Sequence, residues 1–153
     1  MGDGLTTVVY RDGVLAADTL VTGGDTRIGF KSKIAKVGNA LVTATGTNAL
    51  AIRFISWVRE GCQGPCPPMA LKSAVDGAEY DTTGILILPG GRCVTFREGT
   101  GIQWANGPYF AFGSGQDYAR GALAMGATAV EAVKAAMEFD IYTGGTIESV
   151  RHH

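Results

Sequence analysis

Apolar residues along this chain come mostly in runs of four or five, separated by glycine-rich polar turns. Thr6-Thr7-Val8-Val9-Tyr10 is the first such run, and its β-branched side chains favour a pleated strand. Arg11-Asp12-Gly13 follows, and Asp-Gly is a hairpin signal because the turn needs positive φ at its centre. Val14-Leu15-Ala16-Ala17 returns as the second strand and ends at Asp18. Residues 19–30 are glycine-rich and polar, which predicts a loop with irregular extended structure. Lys33-Ile34-Ala35-Lys36-Val37 alternates with a period of two and predicts a strand; Gly38-Asn39 turns, and residues 40–45 form the next strand.

Helical spacing starts at Asn48, a residue type suited to an N-cap. Leu50, Ala51, Phe54, Ile55 and Val58 then keep one face to about Glu60. Residues 62–68 are a proline-rich break, and residues 69–75 read as a short helix. Residues 84–88 form a continuous apolar strand, and Pro89-Gly90-Gly91 turns into residues 92–97. Residues 102–105 and 109–112 give two more short strands. Gly113-Ser114-Gly115 closes the last of these and opens a helix over 116–126. Its apolar face is Tyr118, Ala122 and Met125, with Ala119 and Leu123 beside them. Thr128 caps the next helix, whose stripe is Val130, Val133 and Met137 and which ends near Asp140. Gly144-Gly145 leads into a short terminal strand. Strand hairpins separated by helices predict an α+β protein of antiparallel sheets covered by helices, rather than a regular βαβ repeat.

Composition narrows the function classes. At 153 residues the chain makes one domain with a real core. Apolar residues at 46% and charged residues at 18% are ordinary for a soluble globular protein. A net charge of -1 argues against a nucleic-acid partner. No apolar stretch approaches the ~20 residues of a membrane span. The first five residues lack the apolar segment of a secretory signal, so a cytoplasmic location is expected. The three cysteines, Cys62, Cys66 and Cys93, would need further ligands to hold zinc. The only histidines, His152 and His153, could be a tag remnant. Reduced thiols, no metal and no cofactor are the expectation.

Most candidate chemical motifs have a structural reading. Gly113-Ser114-Gly115 could cradle a phosphate. The dinucleotide fingerprint, however, needs glycine where Tyr118 stands. The hydrolase nucleophile elbow needs glycines where Phe112 and Gln116 stand. Taken alone, Lys33 is an edge lysine that discourages sheet pairing, and Asp18 is a turn or cap residue. Asp140 is less easily placed. It lies at a helix C-terminus, where the helix dipole disfavours an anion, so it needs a donor or cation nearby. Thr6-Thr7 has a second meaning. If residues 1–5 were removed, Thr6 would carry both a hydroxyl nucleophile and a free amine to serve as its base.

Together these residues form an ordered pattern. Thr-Thr opens strand one, Asp18 ends strand two, Lys33 starts a later strand, and Gly46 lies in the next strand-to-helix turn. Gly113-Ser114-Gly115 then opens a helix, and Asp140-Ile141-Tyr142-Thr143-Gly144-Gly145 ends the last one. From Thr6 to about Val150 the chain resembles the proteasome β-subunit and the HslV peptidase subunit, within the N-terminal nucleophile hydrolases. It looks closest to the short proteasome-like subunits of bacteria and phages. The resemblance implies a four-layer α-β-β-α sandwich, with residues 1–5 a propeptide and 6–153 a single domain. It implies a threonine-type endopeptidase acting inside a self-assembled ring or stacked double ring.

In that scheme Thr6 is the nucleophile, and its α-amine, with an unperturbed pKa near ~8, is the base. Lys33 lies beside the hydroxyl and lowers its pKa by positive charge, and Asp18 holds Lys33 in place. Ser114, Asp140 and Thr143 cluster around the amine. The Gly46 backbone N–H faces the developing oxyanion, a contact worth roughly 3 kcal/mol. Helices 48–60 and 116–126 are the expected subunit contacts. Unfolded peptides are the implied substrates, and an ATP-dependent unfoldase is an implied partner. Two departures stand out: Leu5 precedes Thr6 where the family usually has glycine, and Gly46-Thr47 replaces a Gly-Gly pair. A scaffold subunit that keeps the fold without processing its N-terminus is the rival reading. A small-molecule amidase of the same superfamily is a third.

Overall fold

The computed structural model describes residues 6–153. The segment read as a propeptide, residues 1–5, lies outside them. The first hairpin forms as the sequence predicts. β1 (Thr7–Arg11) and β2 (Val14–Ala17) are joined by Asp12 and Gly13, with φ of 51° and 78°. Positive φ at both positions is what the Asp-Gly turn signal demands. β3 (Leu20–Gly23) pairs with β4 (Thr26–Phe30) as a separate two-stranded ribbon. β5 (Ile34–Val37), β6 (Ala40–Gly46) and α1 (Asn48–Arg59) follow. Then come β7 (Ala70–Lys72), β8 (Glu79–Ile87), β9 (Cys93–Arg97), β10 (Gly101–Ala105) and β11 (Tyr109–Gly113). α2 (Gln116–Ala124), α3 (Ala129–Phe139) and β12 (Glu148–Arg151) complete the chain.

Two antiparallel sheets result. One has the order β11-β1-β2-β12, and the other has the order β10-β9-β8-β6-β5 with β7 joined to β8. Side chains alternate across each strand, so one run feeds two cores. Val8, Tyr10, Leu15 and Ala17 of the first sheet meet Ile34, Leu41, Ile85 and Ile87 of the second. Val9 and Ala16 point the other way, against Ala119 and Leu123 of α2 and Ala132, Val133 and Ala136 of α3. Val42 and Ala44 leave the opposite face of the second sheet and meet Phe54 and Val58 of α1. The layers therefore run α2–α3, sheet, sheet, α1. Burial of both sheet faces explains why the sequence shows continuous apolar runs rather than clean alternation. Phe54 is fully buried with its ring centroid 5.0 Å from that of Phe96. Burying such a side chain contributes about 1.5–3 kcal/mol, and it fixes α1 on the sheet.

Several local expectations need correction. Residues 19–30 are a β-ribbon, not a loop. β4 is almost wholly exposed, Ile28 and Phe30 included, and Gly23, Gly24 and Gly29 break up the apolar run that would have marked the ribbon in the sequence. Residues 69–75 hold a strand, not a helix. Leu71 and Val75 are exposed, and the segment is organised by its pairing to β8. The core face of α2 is Ala119 and Leu123, while Tyr118 and Met125 face outward. On α3 the most buried residues are Ala129, Ala132, Val133 and Ala136, with Val130 and Met137 at the margins. Small alanines let both helices sit close to the sheet, and the larger residues mislead a reading by hydrophobic size. The α1 N-cap is Thr47 rather than Asn48. Thr128 does form a full capping box with Glu131.

His152 is part of the fold. Its buried ring bridges the Tyr10 hydroxyl at 2.9 Å and the Asn39 carbonyl oxygen at 2.6 Å. Among the described residues, no helix is long and apolar enough to cross a membrane.

Candidate active site

The ends of several strands and one helix converge on Thr6, which directly precedes β1 and is buried. Antiparallel pairing of β1 and β2 brings Asp18, the residue after β2, back beside it. Lys33, which enters β5, reaches the same point from the second sheet. The Thr6 hydroxyl donates to Asp18 Oδ1 at 2.5 Å. Lys33 Nζ donates to Thr6 Oγ1 at 2.9 Å and to Asp18 Oδ1 at 3.0 Å. The three side chains thus form a closed triangle, with Asp18 fully buried and Lys33 nearly so. Asp18 does more than pair with Lys33, because it binds the Thr6 hydroxyl directly. Burial pulls the Lys33 ammonium below its usual pKa, against the raising effect of Asp18.

A second cluster adjoins the first. Asp140 is the C-cap of α3, and its Oδ2 accepts from Ser114 Oγ at 2.6 Å and from Thr143 Oγ1 at 2.5 Å. Its Oδ1 accepts from the Tyr142 amide at 3.1 Å. Three donors therefore offset the unfavourable helix-dipole position noted from the sequence. Ser114 Oγ also lies 3.2 Å from the Thr6 carbonyl oxygen. Ser114, Asp140 and Thr143 are brought together, with Ser114 beside the Thr6 carbonyl. Gly115 explains its own place in the Gly-Ser-Gly turn. A Cβ there would collide with the Thr7 hydroxyl and with Ala136.

Two contributors carry no assigned role in the sequence reading. The Thr7 amide donates to Asp18 Oδ1 at 3.2 Å, and the Thr7 hydroxyl lies 2.8 Å from that of Thr143, linking the two clusters. The Gly144 amide donates to Asp18 Oδ2 at 3.0 Å. Both lie in motifs that the sequence singles out, but a backbone N–H leaves no residue-type signature.

Gly46 ends β6 with φ of 112°. A side chain there would drive into the Asp81 carbonyl and the backbone of Thr82. Gly46, Thr6 and Lys33 line one cavity of about 200 Å³, whose far wall is α1. The site therefore has a hydroxyl held beside a buried cation, with a side-chain-sized space next to it. The cysteines lie elsewhere: Cys62 is exposed, Cys66 half-buried and Cys93 buried, and none is in a disulfide.

The fold defines an α+β protein of two packed antiparallel sheets covered by helices. Solved structures that share it include two of BPH from Thiobacillus denitrificans. One, in complex with epoxomicin, is 23% identical with a TM-score of 0.63, over 95% of this chain and 96% of that chain. The other is 21% identical with a TM-score of 0.63, over 95% of each chain. No protein-family model matches the chain, and no curated protein sequence matches it.

Proposed function

We propose that the chain is a threonine peptidase with the N-terminal nucleophile hydrolase fold, acting once residues 1–5 have been removed. The observation that carries this reading is the triangle of Thr6, Lys33 and Asp18 at the edge of the cavity. A lysine buried against a threonine hydroxyl is costly for stability alone. It has a chemical use if that oxygen must carry developing negative charge.

The steps follow from the geometry. Cutting the Leu5–Thr6 bond frees the Thr6 amine. As Oγ1 attacks the substrate carbonyl carbon, its proton passes to that amine. Lys33 stabilises the charge on the oxygen, and Asp18 holds both groups. The carbon–nitrogen bond of the substrate then breaks, and the proton leaves with the departing amine. Water attacks the resulting ester, releasing the acid and restoring the Thr6 hydroxyl. Ser114, Asp140 and Thr143 position the Thr6 backbone throughout. Gly46 keeps the cavity open for the incoming backbone. In this reading the protein assembles with copies of itself into a ring chamber and takes unfolded peptides.

The test is hydrolysis of unstructured fluorogenic peptides by the wild-type protein and by Thr6→Ala. The variant should lose all activity while eluting at the same size. Epoxomicin, present in the BPH complex, should block the wild-type activity. Activity that survives in Thr6→Ala would remove Thr6 as the nucleophile. The second reading, an unprocessed scaffold subunit, is favoured by Leu5, which stands where the resembled family usually has glycine. It predicts normal assembly with no hydrolysis in either protein.

A further inference from the structure

The cavity beside Thr6 has an uneven charge. Its floor and walls are small or aliphatic: Ala35, Ala44 and Ala51, with Ile52 and Ile55 from α1. Its volume of about 200 Å³ is enough for one side chain of moderate size. Three cations line it, Lys31, Lys33 and Arg59, and among the described residues no Asp or Glu does. Lys33 is compensated by Asp18. Lys31 and Arg59 form no ion pair among the described residues. Arg59 sits in the last turn of α1, where the helix dipole favours a cation. That accounts for its place in the helix, but not for Lys31 in the connection from β4 to β5. Lys31 is half-buried, and its burial lowers its pKa. Asn48 and Ser56 add polar groups to the same lining.

Resting on the peptidase reading, we propose that this cavity receives the substrate side chain on the acyl side of the cleaved bond and selects an acidic one. Lys31 and Arg59 are the specificity-determining residues. A carboxylate entering the cavity would meet two cations and an apolar sleeve around its methylenes. An arginine or lysine side chain would meet like charge there.

The test uses four fluorogenic peptides that differ only at that residue: Glu, Gln, Leu and Arg. The Glu peptide should be cleaved with kcat/KM about tenfold or more above the Gln peptide, the return on one charge-assisted hydrogen bond. The Arg peptide should be the poorest. Lys31→Met and Arg59→Met should each bring the Glu-to-Gln ratio down towards one, and Lys31→Glu should shift the preference towards Arg. Equal cleavage of Glu and Gln, or a ratio unmoved in all three variants, overturns the proposal. If none of the four is cleaved, the peptidase reading fails and binding decides the cavity separately. Calorimetry with peptides ending in Glu or Gln should then show the Glu peptide binding about tenfold tighter, lost in Lys31→Met. Equal binding overturns the proposal on that arm too.

Discussion

Asp18→Asn is the substitution whose effect the structure defines best. The side chain keeps its size but loses its charge and one acceptor oxygen. Asp18 is fully buried. Its Oδ1 accepts from the Thr6 hydroxyl, the Thr7 amide and Lys33 Nζ, and its Oδ2 accepts from the Gly144 amide. An asparagine amide has only one carbonyl oxygen. In one orientation its NH2 opposes the Gly144 N–H, and in the other it opposes the remaining three donors. Lys33 meanwhile loses its carboxylate in a buried setting. Breaking one side of a buried ion pair costs about 3–5 kcal/mol. Lys33→Met breaks the other side and leaves a buried carboxylate still held by three donors. The double variant Asp18→Asn/Lys33→Met removes both charges at once. It should therefore be more stable than the sum of the single losses predicts, by about 2 kcal/mol or more. Urea unfolding followed by fluorescence of Trp57 and Trp104 measures all three. Losses that simply add, within about 0.5 kcal/mol, would refute the buried triangle as drawn.

Other outcomes are equally definite. Gly46→Ala should cost about 2 kcal/mol or more, because the new methyl meets the Asp81 carbonyl and the backbone has positive φ; an unchanged urea midpoint would contradict that geometry. Burial raises the Cys93 thiol from 9.0 to about 11, so at pH 8 a thiol reagent should label exposed Cys62 quickly and reach Cys93 only on unfolding. Between pH 9.0 and about 11 the unfolded thiol has lost its proton while the folded one keeps it. Stability should therefore fall as pH rises through that window, and Cys93→Ala should flatten the slope.

Much of this architecture can be read from the chain, and for identifiable reasons. The Thr6 to Ala17 hairpin is legible because β-branched residues flank a turn that demands positive φ. The β3–β4 ribbon is not, because Gly23, Gly24 and Gly29 interrupt it and its apolar Ile28 and Phe30 are exposed. The face of α1 is legible, since Leu50, Ala51, Phe54 and Val58 are buried as their spacing predicts, whereas α2 and α3 are legible by position but only partly by face. Their contact with the sheet is made by Ala119, Ala132 and Ala136, which carry little hydrophobic signal of their own. Among the site residues, Asp140 announces itself by standing at the wrong end of a helix, and its three donors supply the reason. Asp18 and Lys33 are ordinary singly and gain meaning only from their order relative to Thr6. The Thr7 and Gly144 amides escape any such reading, since every residue but proline carries that donor. The cavity charge is also hidden, because Lys31, between β4 and β5, and Arg59 of α1 come to line one cavity only in the folded chain.

The central claim is that Thr6 becomes a chain terminus. Intact-mass measurement of the purified protein tests it most directly. The account predicts a polypeptide that begins at Thr6, having lost residues 1–5. A protein whose only terminus is Met1 or Gly2 would contradict it, for the Thr6 nitrogen would then be an amide and could accept no proton from its own hydroxyl.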